Sequence, residues 1–383
     1  MYSMILGAAI LALAALFILL CFFFHGSIRR AHIAFFRPEF FPRGAASIAV
    51  IGKSPLWQKL LWWLFAAVLS LLSLNVFHLS GIFLLHLAAV GALLHLIYLL
   101  CKSFLPAFLR RIHFSGVLPL LLAVLVMMLG YANLHHVTPT HYTLHTDKPL
   151  REGGVRLVAI SDVHYGVSLS DDDMQRVCDE IGALSPDVVL LLGDLVDNDT
   201  PRERIPTLFS MLGSIDAKDG VYFIFGNHDR PYAQIKSDFD GDTLLAAIRD
   251  AGVTLLQDDT ALLGDDVLLI GREDASRPRM TASQLCEHAD LTRYTVMLDH
   301  QPTDYAGVRG TGVDLLLSGH THGGQLFPLG LFMKLFRIND HVYGYTDIDA
   351  HTAAIVSSGF AGWRFPLKTG APAEYLVIDI LPR

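Results

Sequence analysis

The sequence predicts an N-terminal multi-helix transmembrane region over residues 1–134 and an α/β domain with a large buried sheet system over residues 151–383. Three observations predict it. Four uncharged apolar runs crowd the first 134 residues. The charge changes sign between the halves: residues 1–150 carry ten Lys/Arg and two Asp/Glu, a net of +8, and the remainder carries 19 and 35, a net of −16. From Val155 onward, short β-branched runs alternate with amphipathic helical patterns, as they do in α/β domains. Such asymmetry means two units in two environments. The acidic half argues against nucleic acid as a partner, because a phosphate backbone calls for a basic surface.

A helix needs roughly 20 apolar residues to cross a bilayer. Residues 4–24 meet that, as do 60–79 and 81–100, joined by a turn around Ser80-Gly81, while 117–134 is slightly shorter. None contains Asp, Glu, Lys or Arg. The first run lacks a basic leader, and Cys21-Phe22-Phe23-Phe24 is a poor cleavage site, so a retained helix is expected rather than a signal peptide. The first loop holds Arg29, Arg30, Arg37, Arg43, Lys53 and Lys59, and the third holds Lys102, Arg110 and Arg111. The positive-inside rule puts both in the cytoplasm. The α/β half then faces outward, on the periplasmic side of a bacterial inner membrane. His86 and His95, inside the third run, read as hydrogen-bonded between helices rather than as a proton relay.

Residues 135–150 form a linker and entry strand, because 142–145 alternate in polarity. Its four histidines are read as strand and loop residues rather than as metal ligands. Cys178 and Cys286 read as small buried thiols, with a disulfide between them left open.

In the α/β half, strands are expected at 155–161, 188–192, 221–225, 267–270, 294–298, 314–317, 353–356 and 375–380. Helices are expected at 171–184, with Ser170 as N-cap, and at 203–212, 243–251 and 282–289. Five of the strand runs stop at a polar cluster: Asp162-Val163-His164, Gly193-Asp194, Gly226-Asn227-His228-Asp229, Asp299-His300 and Gly319-His320-Thr321-His322. Ligands gather beyond the carboxyl ends of strands in open α/β sheets. Asp162 and His164 are two apart, as are His320 and His322, so on extended chain each pair would point to one side. The glycines at 193, 226 and 319 suit tight turns and close backbone approach. One such cluster is a turn; five drawn from Asp, Asn and His suggest a shared site.

In this order, D-x-H, G-D, G-N-H-D, a later His and G-H-T-H resemble the calcineurin-like metallophosphoesterase family. The likeness runs from about Val155 to Ile380, and Gly319–Gln325 (GHTHGGQ) resembles its membrane-associated bacterial type. The resemblance implies two mixed β-sheets sandwiched by helices, and a dinuclear metal-dependent phosphoesterase. It assigns Asp162, His164 and His322 to one divalent metal and Asn227, His300 and His320 to the other, with Asp194 bridging. Manganese, iron or zinc suits that O/N donor set. His228, beside Asn227, would act on the leaving oxygen, while Asp229, where the family often has Glu, would orient His228 less surely.

The apolar segment 328–336 and the segment 359–366, which holds Trp363 and Arg364, could rim the site and meet a lipid-linked phosphate. The expected substrate is a phosphodiester, phosphomonoester or pyrophosphate, on a small molecule or a lipid. Two alternatives stay open: a pyrophosphatase resembling the UDP-diacylglucosamine hydrolases, and a non-catalytic metal-binding membrane sensor.

Overall fold

Helix α1 spans Tyr2–Phe36, α2 Leu56–Ser73, α3 Leu79–Cys101, α4 Ala107–Ser115 and α5 Val117–Leu134. The computed structural model describes residues 2–36, 54–76, 78–166, 168–230 and 237–383. These fall into two compact units, Met1–Leu129 and Gly130–Arg383.

Four helical stretches in the described residues are long and apolar enough to cross a membrane: Ala12–Phe36, Leu56–Ser73, Leu79–Cys101 and Val117–Leu134. Three boundaries differ from expectation. The first helix runs past Phe24 to Phe36, because nothing after Phe24 stops a helix, so Arg29 and Arg30 lie on the helix and not in a loop. Lys59 likewise belongs to α2. The break between α2 and α3 falls before Leu79, not at Ser80-Gly81. Arg37, Arg43 and Lys53 lie outside the described residues.

The first unit is inverted relative to a soluble bundle. A small interior of Leu20, Phe24, Ala66, Leu84 and Ala88 is buried, while Leu64, Phe65, Leu71, Leu93 and Leu100 are exposed. A helix apolar on every side suits lipid. Two of its buried polar side chains find partners one turn back: Ser70 donates to Ala66 O at 2.7 Å, and a ring nitrogen of His86 lies 2.9 Å from Ile82 O. His95 and His113 join α3 to α4 at 3.1 Å, which fits the reading of hydrogen-bonded imidazoles.

The second unit holds two six-stranded mixed sheets. Strands β1 Thr138–Thr146, β2 Val155–Ile160, β3 Val188–Leu191, β4 Val221–Phe223 and β5 Thr254–Leu255 make one sheet with β12 Glu374–Pro382, in the order β1-β12-β2-β3-β4-β5. The other contains β6 Asp259–Leu263, β7 Val267–Gly271, β8 Tyr294–Leu298, β9 Leu315–Ser318, β10 Gly344–Asp347 and β11 Ala353–Val356, in the order β10-β11-β9-β8-β7-β6. Period-2 alternation builds the layers. Leu157, Ala159, Val188 and Leu190 face a shared interior with Leu269, Val296 and Leu317 of the second sheet. Val158, Ile160, Val189 and Leu191 face the opposite way, toward α6 Asp171–Ala183, α7 Ile205–Gly213 and α8 Gly241–Asp250. The outer face of the second sheet is covered by α9 Ala282–Cys286 and α10 Tyr305–Val308.

Ser170 caps α6 as expected, in a reciprocal box with Asp173. Cys178 and Cys286 are free thiols in separate clusters outside the two sheets, so the disulfide alternative is absent.

Candidate metal centre

β2, β3 and β4 are neighbours in one sheet, and β8 and β9 in the other. Their carboxyl ends carry the five polar clusters, so topology converts five distant motifs into one place. The glycines set the spacing. A Cβ at Gly319 would lie 1.8 Å from Ser161 Oγ, and one at Gly226 would lie 2.2 Å from Asp194 Oδ1. Only glycine permits that approach.

The expected pairing rule needs correction. Asp162, His164, Asp194, His320 and His322 all have φ between 42° and 70°. These residues are therefore not on extended chain, and alternation is not why the pairs converge. Left-handed backbone at a non-glycine residue costs roughly 1–3 kcal/mol and persists where surrounding contacts impose it. Here the contacts are specific: Asp162 N donates to Gly193 O at 3.0 Å and His164 N to Asp194 O at 3.1 Å, and His320 N donates to the Asp162 carboxylate at 3.0 Å.

Two groups of side chains result. Asp162, His164 and His322 are buried, and offer ligand atoms within 4.8 Å of one another. Asp194 and His300, also buried, and the part-buried His320 offer ligand atoms within the same distance of one another. Asp194 Oδ2 lies 3.1 Å from His300 Nε2 and 3.9 Å from His164 Nε2, so it stands between the groups. Asn227 joins the second group, with its Oδ1 2.8 Å from a ring nitrogen of His320.

The chemistry of the donors fits divalent cations. His300 Nδ1 points at Leu192 O at 2.7 Å and His322 Nδ1 at Ala361 O at 3.2 Å. A carbonyl only accepts, so each Nδ1 carries a proton and each Nε2 is the ring atom turned into the site. Burial pulls the His300 ring down, but Asp194 outweighs it and holds the ring above its ordinary value, a charge that a bound cation would replace. His300 Nε2 faces a carboxylate without a hydrogen bond. His322 Nε2 faces His164 Nε2 at 3.2 Å. Ring nitrogens set against ring nitrogens and carboxylates in a buried space call for a shared cation, and the carbonyl partners fix the rings as outer partners of metal ligands do. Burial would raise the Asp194 carboxyl, but His300 and the other histidines hold it well below the usual carboxylate range. Burial pushes His322 down to about 3, so its ring is neutral and free to ligate.

Around these groups the structure reassigns one role and adds two. Asp229 does not orient His228. Its buried carboxylate instead accepts N–H groups from Asp194, Leu195, Val196 and Gly226 at 2.7–3.2 Å, clamping two motif loops together. A shorter side chain serves that task because the backbone lies close. Asp197 meets His228 in its place: Oδ1 lies 3.2 Å from His228 Nδ1, and Oδ2 lies 3.3 Å from His164 Nδ1. Burial pulls His228 down, but Asp197 and Asp194 outweigh it and leave the ring above its ordinary value. Lys368 is fully buried, and its Nζ donates to Ser358 O and to Gly359 O, the latter at 2.6 Å. Neither Asp197 nor Lys368 stands in a repeated pattern; the only sequence sign of Asp197 is its place three residues after Asp194.

His228, Asn227 and His320 are only part-buried and form the opening. The Trp363 ring lies 5.6 Å from that of His228, so the segment after β11 borders the site. Arg364, expected to meet phosphate, is exposed on that segment with φ 63°.

Residues 155–324 match the family described as calcineurin-like phosphoesterase. Among similar proteins is an uncharacterized metallophosphoesterase of Helicobacter pylori, 28% identical over 60% of this chain and 60% of its own length. A Danio rerio transmembrane protein with metallophosphoesterase domain is 30% identical over 58% of this chain and 52% of its own. An uncharacterized metallophosphoesterase of Aquifex aeolicus is 24% identical, over 68% of this chain and 97% of its own. This chain thus spans only about three fifths of the Helicobacter relative.

Proposed function

We propose, from the match of residues 155–324 to the calcineurin-like phosphoesterase family, that the chain is a membrane-anchored, metal-dependent enzyme that hydrolyses a phosphodiester, phosphomonoester or pyrophosphate. The observation that carries the reading is Asp194, one carboxylate oxygen of which lies within 4 Å of histidines from both groups.

In this reading Asp162, His164 and His322 hold one divalent ion, Asn227, His300 and His320 hold another, and Asp194 is shared. Mn²⁺, Fe or Zn²⁺ suits oxygen and imidazole donors better than a soft ion does. Bound ions of this kind supply an acidified water as nucleophile and compensate charge on the phosphoryl oxygens. The protein's own part is positional. Asp194 fixes the separation of the two halves, and its Oδ1 accepts the His228 N–H at 2.7 Å. Asp197 engages His228 Nδ1, which leaves Nε2 to hold a proton for the departing oxygen. Trp363 shields one side of that ring, and Arg364 on the same segment is suited to an incoming phosphate.

For location, the basic residues beside the first and third spans favour a cytoplasmic face there. Four spans would then put the catalytic domain outside, on the periplasmic face of a bacterial inner membrane. A lipid-linked phosphoester is the substrate most consistent with that setting. A reporter fused to the C-terminus tests the side; a cytoplasmic reading would favour the UDP-diacylglucosamine-type alternative.

The direct test is hydrolysis of chromogenic diester and monoester by the full chain in detergent with Mn²⁺, beside Asp194→Asn and His228→Ala. Metal-dependent turnover that both variants lose supports the hydrolase. Folded protein with two metals and no turnover would favour the sensor, and folded protein with neither would overturn the reading.

A further inference from the structure

The segment after the GHTH motif carries an apolar surface that the catalytic site does not use. Helix α11, Leu329–Phe336, has no buried residue. Leu331, Phe332, Leu335 and Phe336 are exposed by 64%, 48%, 69% and 69%, and Phe327 and Ile338 at its ends by 59% and 61%. Elsewhere among the described residues of this unit, Leu245, Leu262 and Met280 and the aromatic rings of Tyr131, Tyr343, Tyr345 and Trp363 are the exposed large apolar side chains. A contiguous patch of this kind on an otherwise closed α/β surface marks an interaction site. Lys334 and Arg337 are exposed on it, and no Asp or Glu occurs from His320 to Ile338; the nearest in sequence, Asp340, accepts Tyr305 N at 2.8 Å.

The chain itself says what covers the patch. The apolar helix α5 ends at Leu134, and β1 begins at Thr138, with three residues between them. The last turn of α5 is hydrogen-bonded into the segment that holds the start of α11. Gly130 O accepts Lys368 N at 3.1 Å, and Asn133 Nδ2 donates to Lys368 O and Ala371 O at 2.8 Å. Thr369, next to Lys368, accepts Phe327 N at 3.0 Å. Phe327 is thus two hydrogen-bonded steps from the point where a membrane-crossing helix emerges.

We propose that α11, with Phe327 and Ile338, lies in the headgroup region of an anionic bilayer, its apolar side chains inserted and Lys334 and Arg337 on lipid phosphates. An amphipathic helix with cations beside its apolar side chains suits that interface. The consequence falls on the catalytic loop. A Cβ at Gly324 would lie 2.2 Å from Gly330 Cα, so α11 rests directly on the His320–Gln325 turn. Seating α11 in lipid places that turn at the bilayer surface. Given the phosphoesterase reading, the substrate is then a phosphoester carried by a membrane lipid.

The test needs no turnover, so it stands apart from the catalytic reading. Full-chain protein with Cys101→Ser, whose other cysteines are buried, receives Phe332→Cys or Leu335→Cys with an environment-sensitive fluorophore. Leu262→Cys, on β6, is the control. In vesicles of phosphatidylglycerol and phosphatidylcholine, the α11 labels should be quenched by doxyl-labelled lipid and shielded from aqueous iodide, and the control should behave oppositely. Equal iodide quenching at all three sites overturns the proposal. Shielding without lipid quenching also overturns it and assigns the patch to a protein partner or a second copy. Lipid quenching should weaken in pure phosphatidylcholine, and Lys334→Gln with Arg337→Gln should abolish that dependence; quenching indifferent to lipid charge overturns the anionic assignment.

Discussion

The two halves of the candidate metal centre are supported by different parts of the chain. Around Asp194, Asn227 and His300 the supports come from the motif loops and their own strands: Asp229 gathers four N–H groups, and His300 rests on Leu192 O. Around Asp162 and His322 a late segment with no motif adds to the contacts that Gly193, Asp194 and His320 make. Phe360 N and Ala361 N donate to Ser161 O and Asp162 O, Ala361 O meets His322, and Lys368 holds the carbonyls of Ser358 and Gly359. The first kind of support travels with the motif. The second depends on how the chain returns after β11, and so on the last turn of α5.

Asp194 belongs to both halves, so changing it should have the largest effect. Asp194→Asn should lower kcat/KM by more than the roughly 10–100-fold that losing an outer partner of a metal ligand costs. Elemental analysis should show fewer than two metals per chain. Full metal content with retained rate would remove Asp194 from its position between the halves.

Lys368→Met separates the halves. Burial pushes the Lys368 ammonium down to about 7 while Asp162 and Glu374 hold it up; its removal takes the Nζ donor from Ser358 O and from Gly359 O, the latter keeping Glu374 N at 3.1 Å. Affinity for one of two metals should fall about 10–100-fold, which a competitive chelator titration would read as one weakened site. Equal weakening of both sites, in protein of unchanged fold, would break the comparison.

Legibility follows the same division. The five motifs were readable because strand ends repeat one physical rule, and the strands at 155–161 and 188–192 were readable as continuous apolar runs because both of their faces are buried. The left-handed backbone at Asp162 and His322 was not, because neighbouring loops impose it. Strands β5, β6 and β10 were missed because they are short, at or near sheet edges, and partly exposed. Lys368 was invisible, since a lone Lys in a loop ordinarily faces water and only its return beneath Gly359 buries it. Asp229 was found with the wrong task, because adjacency in sequence suggested His228, whereas its carboxylate turns toward Asp194.

A smaller effect is expected at Asp197, which touches His164 from one half and His228 at the opening. Asp197→Asn keeps the shape and removes the charge. kcat should fall by about tenfold, the low end for an outer partner, with two metals retained. A change confined to metal affinity would mean that Asp197 serves His164 alone.

The smallest effect tests whether the late-segment support extends to α5. Asn133 gives two hydrogen bonds to the segment that Lys368 begins, each worth about 0.5–1.5 kcal/mol. Asn133→Ala should therefore destabilise the second unit by roughly 1–3 kcal/mol in total, read as a lower midpoint in denaturant. It leaves every ligand and both Lys368 side-chain bonds in place, so kcat/KM at low temperature should change less than in Lys368→Met. If instead Asn133→Ala weakens one metal as strongly as Lys368→Met does, the end of α5 is part of the support for Asp162 and His322. The last turn of α5 would then help to hold the centre in shape. If stability and affinity are both unchanged, the support ends at Lys368 and the helix is an anchor alone.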